Sequence, residues 1–263
     1  MTQPVLTAID ARGVATLTLN RPDKHNAFDV ATLQALKRAI ESAEADAAVR
    51  LIVITGAGRS FCSGADLGEM KALIGASEAD NLRDALHLTE VLGVLNGCAK
   101  PTVARVNGNA FGGAVGLIAC CDIAIAQREA RLGLTEVRLG LAPAAISPYV
   151  VAAIGVRHAR RYFQTAELIG MEEARRIGLV HEIAAPEDLD AAVEGIVDAL
   201  LKGGPQAQRE AKALVSEVAG AMGSPDEALR RATAQRLARM RVSPEGQEGM
   251  GAFLEKRPAR WAR

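Results

Sequence analysis

Residues Asn109 to Leu117 place two adjacent glycines, Gly112 and Gly113, between an apolar strand and an apolar helix. Glycines at the start of a helix leave bare backbone N–H groups that can face a ligand oxygen, and the helix N-terminus carries partial positive charge. A little further on, Glu136 is a single carboxylate among apolar neighbours. Oxyanion donors and one carboxylate together indicate proton transfer beside a thioester or ester carbonyl.

The composition excludes several classes of protein. The chain has 263 residues, of which 49% are hydrophobic, enough for one large core with or without a small appendage. Lys+Arg and Asp+Glu both number 31, and this zero net charge gives no support for nucleic-acid or membrane binding. We find no apolar run long enough to cross a bilayer and no secretory signal. We therefore expect a cytoplasmic protein with neither kind of partner.

The four cysteines show no Cys-x-x-Cys spacing. We expect free thiols in a reducing cytoplasm and no metal site. Cys120 and Cys121 are adjacent inside an apolar run, which is typical of core residues rather than nucleophiles.

Strand and helix patterns alternate over the first two-thirds of the chain, which predicts an α/β fold. The expected elements are a hairpin (Val5–Asp10, Val14–Leu19), a helix over Val30–Ile40 capped by Asp29, strands Leu51–Thr55, Pro101–Val106 and Asp122–Ala126, and a buried helix Gly113–Cys121. The short elements suggest a spiral of ββα units, with no sequence repeat to prove it.

Two further segments are predicted in this part of the chain. Residues Gly68–Gly75 have the pattern of a mobile segment. Ser77 is expected to cap a helix from Glu78 to about Asn96. The side chains expected to point inward from this helix are Leu82, Leu86, Leu88, Val91, Leu92 and Leu95.

From Ala185 onward the pattern is nearly all helical. The predicted helices are Leu189–Leu201, Gln206–Ala219 and Pro225–Arg241. We predict a core with the active site over residues 1–190 and a helical trimerisation region over residues 191–263, because apolar helical faces often meet a neighbouring subunit.

Six motifs occur in one order: Asn20–Ala27, Phe61–Leu67, Ala110–Gly113, Cys121–Ala124, Glu136–Pro143 and Ala252–Arg257. With these motifs the chain resembles the enoyl-CoA hydratase/isomerase (crotonase) family over essentially its whole length. The resemblance implies a crotonase (ClpP-like) spiral of ββα units with a C-terminal helical oligomerisation region. It also implies a homo-oligomer, either a trimer or a dimer of trimers, that binds acyl-CoA. No metal or cofactor is implied, because coenzyme A is part of the substrate.

Matched position by position, the resemblance places an oxyanion hole on the backbone N–H groups of Ala65 and Gly113 and a catalytic carboxylate at Glu136. Substrate- and CoA-binding roles are implied for Lys24, His25, Ala27, Ser63, Asp66, Leu67, Phe111, Gly112, Phe253 and Lys256. Phe253 and Lys256 are expected to reach the CoA of an adjacent subunit, and their three-residue spacing would put them on one helical face.

The chain departs from the family pattern at Gly116. Typical hydratases of the family carry two glutamates around the activated water; the second matches Glu136, and the first falls at Gly116. We expect Glu136 to take a proton from water as it adds to the β-carbon and to return one to the α-carbon.

The segments Gly112–Leu117, Cys120–Asp122 and Thr135–Val151 resemble a narrower branch, the methylglutaconyl-CoA and isohexenylglutaconyl-CoA hydratases of leucine and acyclic terpene breakdown. This branch implies a 3-branched glutaconyl-CoA substrate with a second carboxylate. Arg83 or His87 could hold that carboxylate, although a solvated helix face is the ordinary interpretation of both residues.

Plainer interpretations stay open for several residues. The glycine pair could permit close packing, and Asp66 could brace its turn. His25 could be solvated, Phe253 could pack between subunits and Lys256 could be an ordinary surface lysine. Two other functions also stay open: a Δ3,Δ2-enoyl-CoA isomerase, which needs one carboxylate, and a non-catalytic acyl-CoA-binding protein.

Overall fold

The computed structural model describes residues 3–220 and 226–262. The chain forms two units. The first contains Met1–Cys98 and Thr102–Gly195, and the second contains Ala99–Pro101 and Ile196–Arg263.

The described chain contains strands, α-helices and short 3-10 turns. The strands are β1 Val5–Ile9, β2 Val14–Leu19, β3 Leu51–Gly56, β4 Thr102–Val106, β5 Ala110–Phe111, β6 Ile123–Gln127, β7 Arg131–Gly133, β8 Leu168–Gly170 and β9 Glu182–Ala184. The α-helices are α1 Val30–Ala45, α2 Leu67–Leu73, α3 Glu78–Gly97, α4 Gly113–Cys120, α5 Ser147–Thr165, α6 Met171–Arg176, α7 Leu189–Leu201, α8 Pro205–Ala219, α9 Glu227–Val242 and α10 Pro244–Leu254. The 3-10 turns are Pro22–Lys24, Glu136–Leu139 and Pro186–Asp188.

The first unit is built on two sheets. The larger has the order β1-β2-β3-β4-β6-β9, in which only the β1–β2 hairpin is antiparallel. The smaller has the order β5-β7-β8, with β5 and β7 parallel. The predicted α/β class and the predicted hairpin are confirmed.

Burial explains the most apolar elements. Every residue of β3 is buried, as expected of an inner strand in a parallel sheet. The helix α4, Gly-Ala-Val-Gly-Leu-Ile-Ala-Cys, is apolar all round and lies in the core. Cys120 and Cys121 are buried, as the sequence predicts.

Side-chain caps fix where two helices begin. Asp29 caps α1 by accepting a hydrogen bond from the backbone N–H of Thr32 at 2.7 Å. Ser77 and Asp80 form a reciprocal capping box at the start of α3. Both predicted caps are confirmed.

Within the segment predicted to be mobile, the structure shows helix α2, which the Asp66 side chain caps through the Gly68 N–H; its mobility stays a prediction. One prediction for α3 is wrong in part. On α3, Val91, Leu92 and Leu95 are buried as predicted, but Leu82 and Leu86 are 59% and 45% exposed. The first half of α3 therefore shows leucines to solvent that helical spacing alone would place in the core.

The second unit is helical, and within it α10 contacts both α8 and α9. The predicted helices Leu189–Leu201 and Gln206–Ala219 are confirmed, and the third is observed as α9; its predicted start, Pro225, lies outside the described residues. The trimerisation role of this unit stays a prediction.

Candidate active site

Two short parallel strands bring the predicted catalytic elements to one edge of the smaller sheet. Ala110 pairs with Leu132 and Phe111 with Gly133. The chain leaves β5 directly into Gly112 and Gly113, and leaves β7 through two residues into Glu136. Because the carboxyl ends of parallel strands meet at the same edge, the start of α4 and the turn that carries Glu136 are neighbours.

Gly112 is the point where the two segments touch. Its backbone has φ 54 and ψ −122, a conformation open to glycine but strained for other residues. Its N–H donates to the Gly133 carbonyl at 2.9 Å. A Cβ built on Gly112 would lie 3.3 Å from Oε1 of Glu136. The missing side chain therefore lets the carboxyl group of Glu136 lie against the backbone before α4.

The carboxyl group of Glu136 is buried and incompletely bonded. Its Oε2 atom is inaccessible to solvent and has no hydrogen-bond partner among the described residues. Burial raises the pKa of this carboxyl group, and a hydrogen bond from its own backbone N–H only partly opposes the effect. An acid with a raised pKa and one oxygen without a partner is suited both to accept and to donate a proton.

The backbone N–H of Ala65 is left free by the way its loop is held. Phe28 donates to the Gly64 carbonyl at 2.7 Å and accepts from the Asp66 N–H at 2.8 Å. In this parallel bridge the peptides on both sides of Ala65 bond to Phe28, so the Ala65 N–H points away from it. Gly64, with φ 88, makes the turn, and the Ala65 N–H has no acceptor in the described chain.

The Gly113 N–H lies at the N-terminus of α4, where the helix dipole favours negative charge. It also has no acceptor within residues 3–220 and 226–262. A Cβ on Gly113 would lie 3.0 Å from Cδ2 of Leu88 and 3.5 Å from the Phe28 ring. Phe28 thus holds the Ala65 loop with its backbone and contacts Gly113 with its ring, which places both free amides around one side chain.

The predicted CoA-binding residues of the first unit cluster around a hydrogen-bonded loop. The Lys24 carbonyl accepts from the Ala27 N–H at 3.0 Å, and the Ser63 N–H donates to the His25 carbonyl at 3.0 Å. Lys24 is exposed and Ala27 is buried. Their roles toward a ligand stay predictions.

The imidazole of His25 is held on both sides. Nδ1 is 2.9 Å from Oγ of Ser60, and the Arg59 guanidinium donates to Nε2 at 3.2 Å. Because Arg59 can only donate, the contacts assign the proton of a neutral His25 to Nδ1. His25 is therefore a fixed, half-buried side chain rather than the solvated one that its polar surroundings suggest.

Asp66 braces the loop that contains Ala65. Its carboxylate accepts from the Gly68 N–H at 2.7 Å and from Nη2 of Arg21 at 2.8 Å. These partners, the Gly68 N–H first, lower the pKa of Asp66.

Two further residues predicted to bind substrate or CoA lie nearby in the sequence of elements. Leu67 is the first residue of α2 and is 81% exposed. Phe111 lies in β5, and its ring covers Gly133. Cδ1 of the ring is 2.9 Å from the position that a Cβ on Gly133 would occupy.

The predicted helical pairing of Phe253 and Lys256 is wrong. Helix α10 ends at Leu254, and Lys256 has φ 54 in the left-handed region. The two side chains therefore do not share a helical face. Both belong to the second unit, and Phe253 is 81% exposed.

Three residues that support the site were not singled out from the sequence. Phe28 links the two amides, Arg21 holds Asp66, and Ile146 packs against Gly116. Phe28 and Arg21 border or belong to the Asn20–Ala27 motif, so that motif could have indicated them. No sequence signal indicates Ile146, because the contact with Gly116 depends on the tertiary structure.

The described residues include no group of three or more His, Cys, Asp or Glu side chains placed to hold a metal ion. No helix in the described part of the chain has both the length and the apolar character to span a membrane. Burial raises the pKa of the Cys62 thiol to about 12, which keeps it protonated and unreactive near neutral pH.

Comparison with known proteins assigns this chain to a class of enzyme. A family model described as enoyl-CoA hydratase/isomerase matches residues 10–263. A crotonyl-CoA hydratase from Syntrophomonas wolfei is 37% identical over 248 residues, 94% of this chain and 93% of the relative. A trans-2-decenoyl-[acyl-carrier-protein] isomerase from Streptococcus mutans is 30% identical over 247 residues, 93% of each protein.

Among solved structures, an enoyl-CoA hydratase from Shewanella pealeana is similar with a TM-score of 0.93 and 41% identity, covering 98% of this chain and 96% of that one. The fold and site therefore define an enzyme of the enoyl-CoA hydratase type. The chain belongs to the enoyl-CoA hydratase/isomerase family. The predicted crotonase fold with C-terminal helices is confirmed, whereas the methylglutaconyl-type branch stays a prediction.

Proposed function

We propose that this protein adds water across the 2,3-double bond of an α,β-unsaturated acyl-CoA, with Glu136 as its acid and base and the amides of Ala65 and Gly113 as its oxyanion hole. The observation that carries the proposal is the carboxyl group of Glu136, whose Oε2 atom is buried with no hydrogen-bond partner among the described residues, against the glycine backbone that leads into α4. A thioester oxygen at the two free N–H groups would set its enoyl carbons beside that carboxyl group.

The reaction needs only one carboxylate. As the water oxygen bonds to C3, one water proton passes to the Glu136 carboxylate and the electron pair of the double bond moves to form an enolate. The enolate oxygen is stabilised by the two amides, at roughly 2.7–4 kcal/mol per donor in comparable oxyanion holes. Glu136 then returns the proton to C2, and the net change is the addition of one water molecule.

Contacts around the site support CoA as the carrier. The exposed Lys24 ammonium and the Arg59 guanidinium, which reaches His25, supply positive charge close to the Ala65 loop. Positive side chains of this kind can pair with the phosphates of CoA. The acyl-CoA ligand and these contacts are part of the proposal.

The first candidate for the acyl group is a 3-branched glutaconyl chain. This part of the proposal rests on the sequence resemblance of the Gly112–Leu117 and Thr135–Val151 segments. Of the two side chains considered for a distal carboxylate, Arg83 is 70% exposed and pairs with Asp80. His87, on the same helix, is half-buried, and it is the residue that we propose for this contact.

A Δ3,Δ2-enoyl-CoA isomerase is the second candidate function. It is favoured by the wall at Gly116, where Ile146 and Leu92 occupy the space that a side chain would need. With Glu136 as the only carboxylate assigned to the site, transfer of a proton from C2 to C4 is also possible. The isomerase among the relatives is consistent with this chemistry.

We also propose that the chain forms a homo-oligomer, a trimer or a dimer of trimers. The second unit exposes large apolar side chains, including Val242 at 76% and Leu254 at 78%. Exposed apolar surface of this kind is typical of subunit contacts.

A substrate panel with one pair of variants tests the proposed function. Crotonyl-CoA, 3-methylglutaconyl-CoA and isohexenylglutaconyl-CoA report hydration through loss of the enoyl-thioester absorbance, and a 3-enoyl-CoA reports isomerisation through its gain. We expect hydration, fastest with a branched glutaconyl ester, and its loss by about 10²-fold or more in Glu136→Gln. Glu172→Gln, on the exposed surface of α6, is the matched control.

Binding of CoA esters should persist in Glu136→Gln, because the two amides are unchanged. If Glu136→Gln kept full turnover, the catalytic assignment would be wrong. Tight binding without turnover of any thioester by the wild type would instead identify a non-catalytic acyl-CoA-binding protein.

A further inference from the structure

Beside the two amides, one face of α4 is covered by a continuous apolar wall. Gly113 and Gly116 are three residues apart and share this face. Leu88 covers Gly113, and Leu92, one turn further along α3, covers Gly116. Ile146, the residue before α5, completes the wall over Gly116.

At Gly116 the wall leaves no free space. A Cβ built there would overlap Cγ2 of Ile146 and would lie 3.0 Å from its Cβ and 3.2 Å from Cδ2 of Leu92. Ile146 is 2% exposed and Leu92 is fully buried. Gly116 lies four residues, about 6 Å along a helix, beyond Gly112, the residue whose backbone lies against the carboxyl group of Glu136.

The chemical consequence concerns water. Hydration requires a water molecule held in line with C3, and a water in a buried site is held by several polar partners. Proton transfer between C2 and C4 requires no water: Glu136 takes the C2 proton, the double bond shifts to C2–C3 through a dienolate at the two amides, and the same proton is placed on C4. An apolar wall beside the carboxylate weakens the first reaction and leaves the second unaffected.

We propose that Ile146 determines the reaction specificity of this site: its side chain closes the wall at Gly116 and limits water addition relative to proton transfer. The inference rests on the proposed function. It assigns to Ile146 a role in the balance between two reactions, in addition to its packing.

Threonine and valine at position 146 separate polarity from shape. The two side chains are nearly equal in size, so Ile146→Val removes one methyl group and keeps the wall apolar, whereas Ile146→Thr adds a hydroxyl that can hold a water. For each variant, kcat/KM is measured for hydration of crotonyl-CoA and for isomerisation of 3-hexenoyl-CoA. We expect the ratio of hydration to isomerisation to rise about fivefold to tenfold in Ile146→Thr, the effect of one further hydrogen bond, and to stay within about twofold in Ile146→Val.

A second pair of variants covers the case in which Ile146→Thr does not fold. Ile146→Ala opens the wall without burying a hydroxyl, and Val150→Ala removes equally buried apolar volume from α5, one turn away. The ratio should rise in Ile146→Ala and stay unchanged in Val150→Ala.

Three results would overturn the inference. If the ratio of hydration to isomerisation were equal in Ile146→Thr and Ile146→Val, Ile146 would have only a packing role. The same conclusion would follow from equal ratios in Ile146→Ala and Val150→Ala. A wild type that neither hydrates nor isomerises any thioester would remove the proposed function and the inference with it. If both activities are present and depend on Glu136 but ignore residue 146, the inference fails while the proposed function stands.

Discussion

Two carboxylates close to the free amides have opposite surroundings. Asp66 follows Ala65 directly and is bonded to the Gly68 N–H and to Arg21, which lower its pKa. Glu136 lies against Gly112 with one oxygen buried and unbonded, and burial raises its pKa. A bonded carboxylate is held ionised and stabilises a loop, whereas an unbonded one is ready to exchange a proton.

Among variants that keep Glu136 itself, the largest expected effect comes from displacing its carboxyl group through a substitution at Gly112. In Gly112→Ala the new Cβ would lie 3.3 Å from Oε1 of Glu136, on a backbone with φ 54 that strains any side chain. We expect kcat/KM for the enoyl-CoA substrate to fall by about 10²-fold, the usual cost of displacing a catalytic group by about 1 Å.

Gly155→Ala, in α5, is the matched control for backbone strain. Gly155 also has positive φ, at 74, with ψ 158, but a Cβ there would meet no described atom within 4 Å. Equal losses of activity in the two variants would show that strain, and not the position of Glu136, causes the effect.

The pH dependence of Glu136 sharpens the comparison in a second way. Because a raised pKa keeps the group protonated to a higher pH, the acid limb of kcat/KM should lie above the pH at which an ordinary glutamate titrates. A carboxyl group whose pKa is raised on folding stabilises the folded state at pH values below its unfolded-state pKa. This stabilisation is lost as the pH rises through its folded-state pKa. Glu136→Gln should therefore be more stable than the wild type near pH 7, and this gain should disappear near pH 4.

Urea unfolding of the wild type and of Glu136→Gln at the two pH values measures this difference. Glu172→Gln, in which an exposed carboxylate is replaced, should show no such gain. A Glu136→Gln variant that is less stable than the wild type near pH 7 would contradict the assignment of an unpaired buried acid.

The smallest expected effect concerns Asp66. Its contribution to stability depends on pH in the opposite direction to that of Glu136. A lowered folded-state pKa contributes stability above the unfolded-state pKa, and this contribution is lost as the pH falls through the folded-state value. Asp66→Asn keeps a side chain that can cap α2 but loses the ion pair with Arg21, so we expect a cost of about 1 kcal/mol near pH 7. The cost should vanish on acidification below the normal range of an aspartate.

Unfolding curves at several pH values measure the Asp66 contribution. Asp190→Asn is the control, because Asp190 also pairs with an arginine but its side chain is 79% exposed. A constant difference between wild type and Asp66→Asn at all pH values would show that the carboxylate charge plays no part.

Local sequence patterns predicted the elements whose cause is local. Asp29 and Ser77 cap their helices, α4 is buried because it is apolar all round, and the β1–β2 hairpin follows its alternation. Features that depend on distant packing were not predicted. Leu82 and Leu86 have helical spacing but are exposed in the described structure, and α2 begins where glycines suggested an irregular segment because Asp66 caps it.

The same division applies to the candidate site: residues marked by local motifs were predicted, and contacts between distant segments were not. Sequence motifs indicated Glu136, Ala65 and Gly113, and the structure places Glu136 beside Gly112 and both amides around Phe28. No pattern could show that Oε2 of Glu136 lacks a partner among the described residues, because that depends on every segment folded around it. The same limit hid the contact between Ile146 and Gly116.

The contact of Ile146 with Gly116 restricts how this chain can change over evolutionary time. Any codon change that gives residue 116 a side chain meets the isoleucine first, so the altered protein carries a folding defect before it gains anything. A smaller residue at 146 must arise earlier or together with it. The two positions are therefore expected to vary as a pair among descendants of this sequence, because a mutational path that begins at residue 116 costs stability at its first step.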